Sequence, residues 1–255
     1  MTVIAESPVP IYTTAGNHDI HGYNLDTYER TSLRLLELLV PKFRVINSPG
    51  YPFLCDDVAV TFTPSTGQVD RDGYGYSPAH RHSDTRFHIH IAHGMLLDHI
   101  PPFDRYTLIK DVQTTADLIL TGHDHQGFGI YKRADGKLFC NPGSLTRLSA
   151  SAGEMERPIQ VALITIDSDI VDIQLIALQS AKAGSEVLDR SKIEAEQQRQ
   201  YAMEEFAALI QTGNGDKVLL NINDIVEAIA TKEAYDPAVV QKTLEKIQEQ
   251  QANIL

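Results

Sequence analysis

Leu118-Ile-Leu-Thr-Gly-His-Asp-His125 is the stretch whose reading decides the fold. Leu118 to Leu120 read as the end of a buried strand. Thr121 and Gly122 break that strand, and His123 and His125 follow with one residue between them. A strand that stops at a glycine turn presents its next side chains at the rim of a sheet, where open α/β sheets place their ligands. Two imidazoles at such a rim suit a cluster of borderline metal ions. One His-x-His carries little weight alone. It gains weight because other stretches repeat its layout of strand, glycine and metal-grade side chain.

Pro8 to Thr14 is β-branched and aromatic and reads as a strand. Gly16-Asn17-His18-Asp19 follows at once. Asn17 can offer a metal its amide oxygen. His18 can give a proton or a hydrogen bond to a phosphate oxygen. Asp19 can hold that imidazole in one tautomer. Phe87-His-Ile-His-Ile-Ala-His93-Gly94 is the third such stretch. Along it Phe87, Ile89 and Ile91 face one way, and His88, His90 and Ala92 the other. His93 closes the strand before Gly94 and is the ligand candidate. His88 and His90 read as polar positions further back, satisfied by neighbouring groups.

All ten histidines of the 255-residue chain lie between His18 and His125, so the second half is read as non-catalytic. The length suits one large domain or a domain with a small appendage. At 42% hydrophobic and 22% charged, the composition is that of a soluble globular protein. No apolar run approaches the roughly 20 residues of a membrane span. The N-terminal residues resemble no signal peptide. Cys55 and Cys140 sit in apparent strands and read as reduced core thiols of a cytoplasmic protein. A net charge of −12 argues against a broad non-specific nucleic-acid surface and leaves room for a local basic or metal-centred site.

Around these motifs the chain reads as follows. Asn24 to Val40 is a helix with a leucine stripe that packs on a sheet, and Pro41 ends it. Phe53 to Phe62 is a hairpin around Asp56-Asp57. Gly67 to Asp84 is a polar loop carrying His80 and His82, placed where a loop beside a metal site often touches substrate. Phe128 to Cys140 is a hairpin turning at Asp135-Gly136. Asn141 to Arg147 loops back toward the His123 rim. Ile159 to Asp167 and Ile170 to Leu178 pair around Ser168. From Ala181 the texture turns to charged helix: Val187 to Ile210, a break at Gly213-Asn-Gly215, then Ile222, Ile225, Val226 and Ile229 at helical spacing. A last helix opens at Asp236-Pro237 and carries Val240, Leu244 and Ile247. The expected division is residues 1–179 as the catalytic domain and 180–255 as a small helical cap or dimerisation element.

Gly-Asn-His-Asp at 16–19, His93-Gly94 and Gly-His-Asp-His at 122–125, in this order and spacing, resemble the later motifs of the calcineurin-like metallophosphoesterase superfamily. Ala92-His-Gly-Met-Leu and Cys140-Asn-Pro-Gly-Ser-Leu-Thr-Arg resemble its DNA-repair exonuclease branch, typified by the SbcD subunit of the bacterial SbcCD nuclease. The resemblance implies an α/β fold, a two-sheet sandwich flanked by helices, with two divalent metal ions at the sheet rims. Mn²⁺ is the usual ion, with Zn²⁺, Fe²⁺ or Mg²⁺ as alternatives. It implies Asn17, His93 and His123 on one metal and His125 on the other, with His18 and Asp19 catalytic. The reaction implied is hydrolysis of a phosphodiester by a hydroxide bridging both metals. Asn141, Ser144 and Arg147 would touch the substrate, DNA or another phosphodiester, and an SbcC-like ATPase subunit would be a partner.

The family also begins with Asp-x-His and Gly-Asp motifs upstream of Gly-Asn-His-Asp. None fits the residues before Gly16, and Asp19-Ile-His21 matches by letter only. The expectation is a domain lacking its first portion, completed by another chain or paired as a homodimer, with bared apolar surface and one incomplete metal site. The chain alone is expected to bind at most one metal tightly, Zn²⁺ before Mn²⁺, and to show little or no phosphodiesterase activity until an upstream segment is restored; two tight Mn²⁺ sites with robust cleavage would instead mean that side chains such as His21, His80, His82 or Asp84 have taken over the missing positions. Two alternatives belong beside the nuclease: a phosphodiesterase acting on small nucleotides, and a degenerate, non-catalytic subunit that binds nucleic acid or a partner.

Overall fold

The structure, a computed structural model, describes residues 2–48, 53–55, 57–79, 81, 84–167, 170–212, 226–227, 229–231 and 235–252. The chain is a mixed α/β protein with several sheets. After the short helix α1 (Thr2–Ala5), β1 (Ile11–Thr13) pairs in parallel with β2 (Phe43–Val45). Between them run a 3-10 turn, Leu25–Arg30, and the helix α2 (Ser32–Leu39).

The expected single helix from Asn24 to Val40 is therefore two pieces. Thr31 is extended and caps α2, its hydroxyl accepting from the Arg34 amide at 3.2 Å. The leucine stripe packs only in part. Leu33 lies against Ala15, Ile20 and Tyr28, whereas Leu35, Leu38 and Leu39 are exposed. Glu37 ties the helix to β2 by accepting from the Val45 amide at 2.8 Å.

The central sheet has six strands in the order β3-β4-β5-β8-β10-β9. Its members are β3 (Phe53–Cys55), β4 (Val58–Thr63), β5 (Phe87–Gly94), β8 (Leu118–His123), β9 (Gly129–Lys132) and β10 (Leu138–Asn141). Neighbours β4, β5, β8 and β10 run parallel; the outer strands β3 and β9 run antiparallel to theirs. The small pair β6 (Leu96–Leu97) and β7 (Thr107–Leu108) follows β5 in the chain. β11 (Gln160–Asp167) and β12 (Ile170–Ala177) form the last hairpin. Both expected hairpins at 128–140 and 159–178 are present, although Ser168 lies outside the described residues.

Period-two alternation sorts the central strands onto two faces. Val60, Phe62, Ile89, Leu118 and Cys140 pack against Ile164, Ile166, Ile173 and Leu175 of the β11–β12 hairpin. Ala92, Ile119 and Phe139 point the other way, into Tyr76, Leu96, Ile109 and Val112. Phe87, Ile89 and Ile91 thus share one face and His88, His90 and Ala92 the opposite one, as the alternation predicts. Cys140 is a buried free thiol, pushed by burial up to about 11.

Residues 1–189 form one compact unit and 190–255 a second. The break falls after the change of texture at Ala181, because helix α4 (Gly184–Val187) belongs to the first unit. A β-carbon on Gly184 would stand 2.6 Å from Met155 Cα of α3 (Ala152–Glu156), so the two helices touch through the bare glycine. In the second unit, α5 (Ser191–Thr212) and α6 (Pro237–Ala252) are the described helices of length. Asp236 caps α6, accepting from the Ala238 amide at 2.8 Å, and Val240, Leu244 and Ile247 are its less exposed stripe. Gly213-Asn-Gly215, Ile222 and Ile225 lie outside the described residues. Among the described residues no helix is long and apolar enough to cross a membrane.

Candidate functional site

Three strand ends build the site. β1 leads into Ala15, which is fully buried and stitched on both sides. Its amide donates to Asn47 Oδ1 at 3.0 Å, just past β2, and its carbonyl accepts from the Ser65 amide at 2.8 Å, just past β4. Gly16 therefore leaves the sheet at a fixed point. Asp19 then closes the loop: its carboxylate accepts from the Gly16 amide at 2.8 Å and its own amide donates to the Gly16 carbonyl at 3.1 Å. Asn17 and His18 ride on the tip. Asp19 thus shapes the turn rather than holding the His18 ring, because a carboxylate reaches a backbone amide three residues back more readily than a side chain on the outer tip.

β5 and β8 supply the next two residues. Their register sets His93 beside Gly122 and Gly94 beside His123. The His93 and His123 rings stand with centroids 5.0 Å apart, edge to face. β8 does not break at Gly122; it runs through to His123, whose φ of 151° is one that residues with a β-carbon rarely adopt. Such a conformation costs on the order of 1–3 kcal/mol and persists only where the surroundings impose it.

His93 and Asn17, 76 residues apart in the chain, meet with Nε2 and Oδ1 at 2.9 Å. Gly16 permits the meeting, since a β-carbon there would lie 2.8 Å from His93 Cε1. Burial first, then the neighbouring His123, His18 and His125, lowers the His93 pKa to about 4. Burial also lowers His123, against the opposing pull of Asp70. Both rings are therefore neutral near pH 7, the form in which imidazole ligates metals.

His125 sits on a tight turn held from below. Asp124 accepts from the amides of Gln126 and Gly127 at 3.2 and 3.1 Å. Asn141 is 2% exposed and wholly engaged there: Nδ2 donates to the Asp124 carbonyl at 2.9 Å, and Oδ1 accepts from the Gly143 amide at 3.0 Å. The amide of Ser144 donates to the His125 carbonyl at 3.0 Å. Behind this loop lies a buried pair, Arg157 and Glu154, with the Arg157 guanidinium donating to the carbonyls of Ser144 and Thr146 at 2.8 and 2.7 Å. Arg147 donates to the carbonyls of Glu154 and Lys182.

The expected substrate residues thus divide. Asn141 braces the loop that carries His125, and the Arg147 guanidinium donates to the carbonyls of Glu154 and Lys182. Ser144 remains partly exposed, its hydroxyl 3.2 Å from that of Thr146.

Asn17, His93 and His123 thus come together, with His18 and His125 close enough to act on both imidazoles. His80 and His82 lie outside the described residues, and neither His21 nor Asp84 lines the cavity between His93 and His123. That cavity, about 30 Å³, holds about one water and is walled also by Tyr23, Asp70 and Arg105. Sequence reading passes over these three. Asp70 is one acidic residue among several in a polar loop, and nothing local marks Arg105 or Tyr23.

Asp70 has a positive φ of 65° and a fully engaged carboxylate. It accepts from the Met95 amide at 2.8 Å, from the Thr107 hydroxyl at 2.9 Å and from the Tyr76 hydroxyl. Among the described residues no three His, Cys, Asp or Glu side chains are grouped to hold a metal ion. The third donor beside the two imidazoles is the Asn17 amide oxygen. No protein-family model and no curated protein matches the chain.

Proposed function

We propose that the chain is a metal-dependent phosphoesterase hydrolysing phosphodiester bonds, a nuclease of the SbcD type built on a metallophosphoesterase two-sheet sandwich. The observation that carries the reading is the meeting of Asn17, His93 and His123, with His18 and His125 beside them, from three separate strand ends. An amide oxygen and two neutral imidazoles fit one borderline divalent ion such as Mn²⁺ or Zn²⁺. His125 is the donor left for a second ion. Bound there, the ion would polarise a phosphoryl oxygen and acidify a water.

The remaining work falls to the chain itself. His18, exposed on the turn, gives a proton or a hydrogen bond to the oxygen that departs. Asp19 fixes the turn that carries it. Neutrality of His93 and His123 keeps their lone pairs available. A cytoplasmic setting suits the free thiol of Cys140.

A second reading has its own support. Asp70, Asp72, Asp104 and Asp111 line a cavity of about 700 Å³ that shares Asp70 with the site. Carboxylates so placed repel a long phosphate backbone more than a single phosphodiester, which favours small nucleotides. Purified chain assayed in Mn²⁺ on bis-p-nitrophenyl phosphate, a cyclic dinucleotide and linear duplex DNA separates the readings. Cleavage of all three supports the nuclease, and cleavage of the first two alone supports the small-nucleotide enzyme. Turnover of none, with a folded chain, fits the non-catalytic subunit and equally a phosphoesterase whose second metal site is incomplete.

A further inference from the structure

We infer that Arg105, backed by Tyr23, is the clamp that holds the substrate phosphate in this site; the inference rests on the phosphoesterase reading above. The strand pairing brings it there. Leu96 of β6, three residues past His93, pairs with Thr107 of β7, so the loop between them returns Arg105 to the His93–His123 cavity.

Backbone carbonyls fix the guanidinium. Nε donates to the Val69 carbonyl at 3.2 Å, and Nη2 donates to the carbonyls of Thr66 and Val69, both at 2.9 Å. Nη1 has no acceptor among the described residues. One face of the group lies over the Tyr23 ring, 4.7 Å from its centroid. Tyr23 is 43% exposed and has a positive φ of 58°, a conformation that a bulky residue keeps only when its surroundings hold it.

The charge state is the second observation. Arg81, Arg133 and Arg157 each hold a carboxylate, whereas Arg105 forms no ion pair among the described residues. A guanidinium held in plane by carbonyls, stacked on one face and lacking a carboxylate is a preorganised receptor for an oxyanion. In a chain of net charge −12, beside a cavity lined by four aspartates, an unpaired cation against the candidate ligands favours a phosphate at that point.

Tyr23 is a positioning residue: its ring lies against one face of the Arg105 guanidinium.

The test titrates inorganic phosphate into the full chain in Mn²⁺ by calorimetry, for the wild type, Arg105→Gln, Arg105→Lys and Tyr23→Ala, with thermal melts of each. Arg105→Gln keeps a donor for the carbonyls and removes the charge. The expected result is at least about tenfold weaker phosphate binding in Arg105→Gln and a few-fold loss in Arg105→Lys and Tyr23→Ala. In hydrolysis of bis-p-nitrophenyl phosphate, KM should rise more than kcat falls. No phosphate binding by the wild type overturns the inference, as does equal affinity in Arg105→Gln. Should Arg105→Gln fail to fold, equal affinity in Arg105→Lys overturns it instead, because lysine keeps the charge and loses the fork. Phosphate binding that depends on Arg105 without any hydrolysis would sustain the clamp and remove the enzymatic reading. Hydrolysis with KM and phosphate affinity unchanged in Arg105→Gln would remove the clamp alone.

Discussion

His88 and His90 lie on one face of β5 and His93 on the other, and the two faces put one side-chain type to different use. His88 and His90 are 0% and 1% exposed and share one partner. The Thr61 hydroxyl lies 2.9 Å from His88 Nε2 and 2.8 Å from His90 Nδ1. His90 Nε2 further meets the Thr63 hydroxyl at 3.1 Å and the Gly75 carbonyl at 3.0 Å. Both rings lean on Thr61 of the neighbouring β4, and His90 is engaged at both ring nitrogens, by Thr61 and Thr63 of that strand and by the Gly75 carbonyl. His93 stands near the end of β5, one residue past the last β4 pairing at Ala92, with Asn17 Oδ1 2.9 Å from its Nε2 and the His123 ring 5.0 Å away. A buried polar group must be satisfied, and satisfaction removes its lone pair from chemistry. The same residue becomes available only where the sheet ends.

Four substitutions or conditions would break or sharpen that contrast. The largest expected effect is at the rim. In a form of the protein with both metal sites complete, His18→Ala in Mn²⁺ should lower turnover on bis-p-nitrophenyl phosphate by a hundredfold or more, roughly 3–4 kcal/mol, while metal content and melting temperature stay at wild-type values. Turnover within about twofold of the wild type would remove His18 from the chemistry.

The next effect belongs to the buried face. Desolvation lowers His90 from 6.5 to about 4. Unfolded chain takes up the proton first as pH falls, so between these values the unfolded state binds more protons and stability drops with pH. The loss attributable to His90 is roughly 3 kcal/mol, fully incurred below its folded pKa. His93, also at about 4, adds the same sign. Urea midpoints measured across this range should fall with acid, and less steeply in His90→Gln. An equal slope in the variant would assign the loss to other groups.

Thr61→Val removes the partner shared by His88 and His90. It should cost about 2 kcal/mol in urea unfolding and leave metal affinity at the rim unchanged. A loss of metal binding equal to that of His93→Ala would mean that the two faces are coupled. The smallest effect is expected from Gly16→Ala. Its new methyl would press on the His93 ring, weakening metal binding by about tenfold with under about 1 kcal/mol lost in stability. Wild-type metal affinity in that variant would show that His93 moves freely and is not held for ligation.

Much of the strand layout was legible because its cause is local. A strand alternates its side chains at every residue, so Phe87 to Ala92 assigns its own faces without knowledge of a partner. Glycine next to histidine late in an apolar strand is a local signal as well, and so Asn17, His18, His93 and His123 could be singled out, although β8 runs past Gly122 to His123. The breadth of α2 packing was not legible, since a leucine stripe states what a helix could bury and not what covers it. Nor were the backbone partners of Asn141 and Arg147, since polarity in a loop does not show which carbonyls a side chain will reach.

By itself, then, the sequence determined the faces of β5, the histidine-bearing strand ends and the turn residues that shape them, all set by backbone geometry within a few positions. Tertiary structure alone decided which of them meet. Asn17 reaches His93 across 76 residues because β1 and β5 leave the core at one edge. Asp70 spends its carboxylate on Met95, Tyr76 and Thr107 rather than on an ion. Arg105 faces the cavity because carbonyls 36 and 39 residues earlier fix its plane. Such distances lie beyond any periodicity in the chain, so only the packing of one strand end against another could set them.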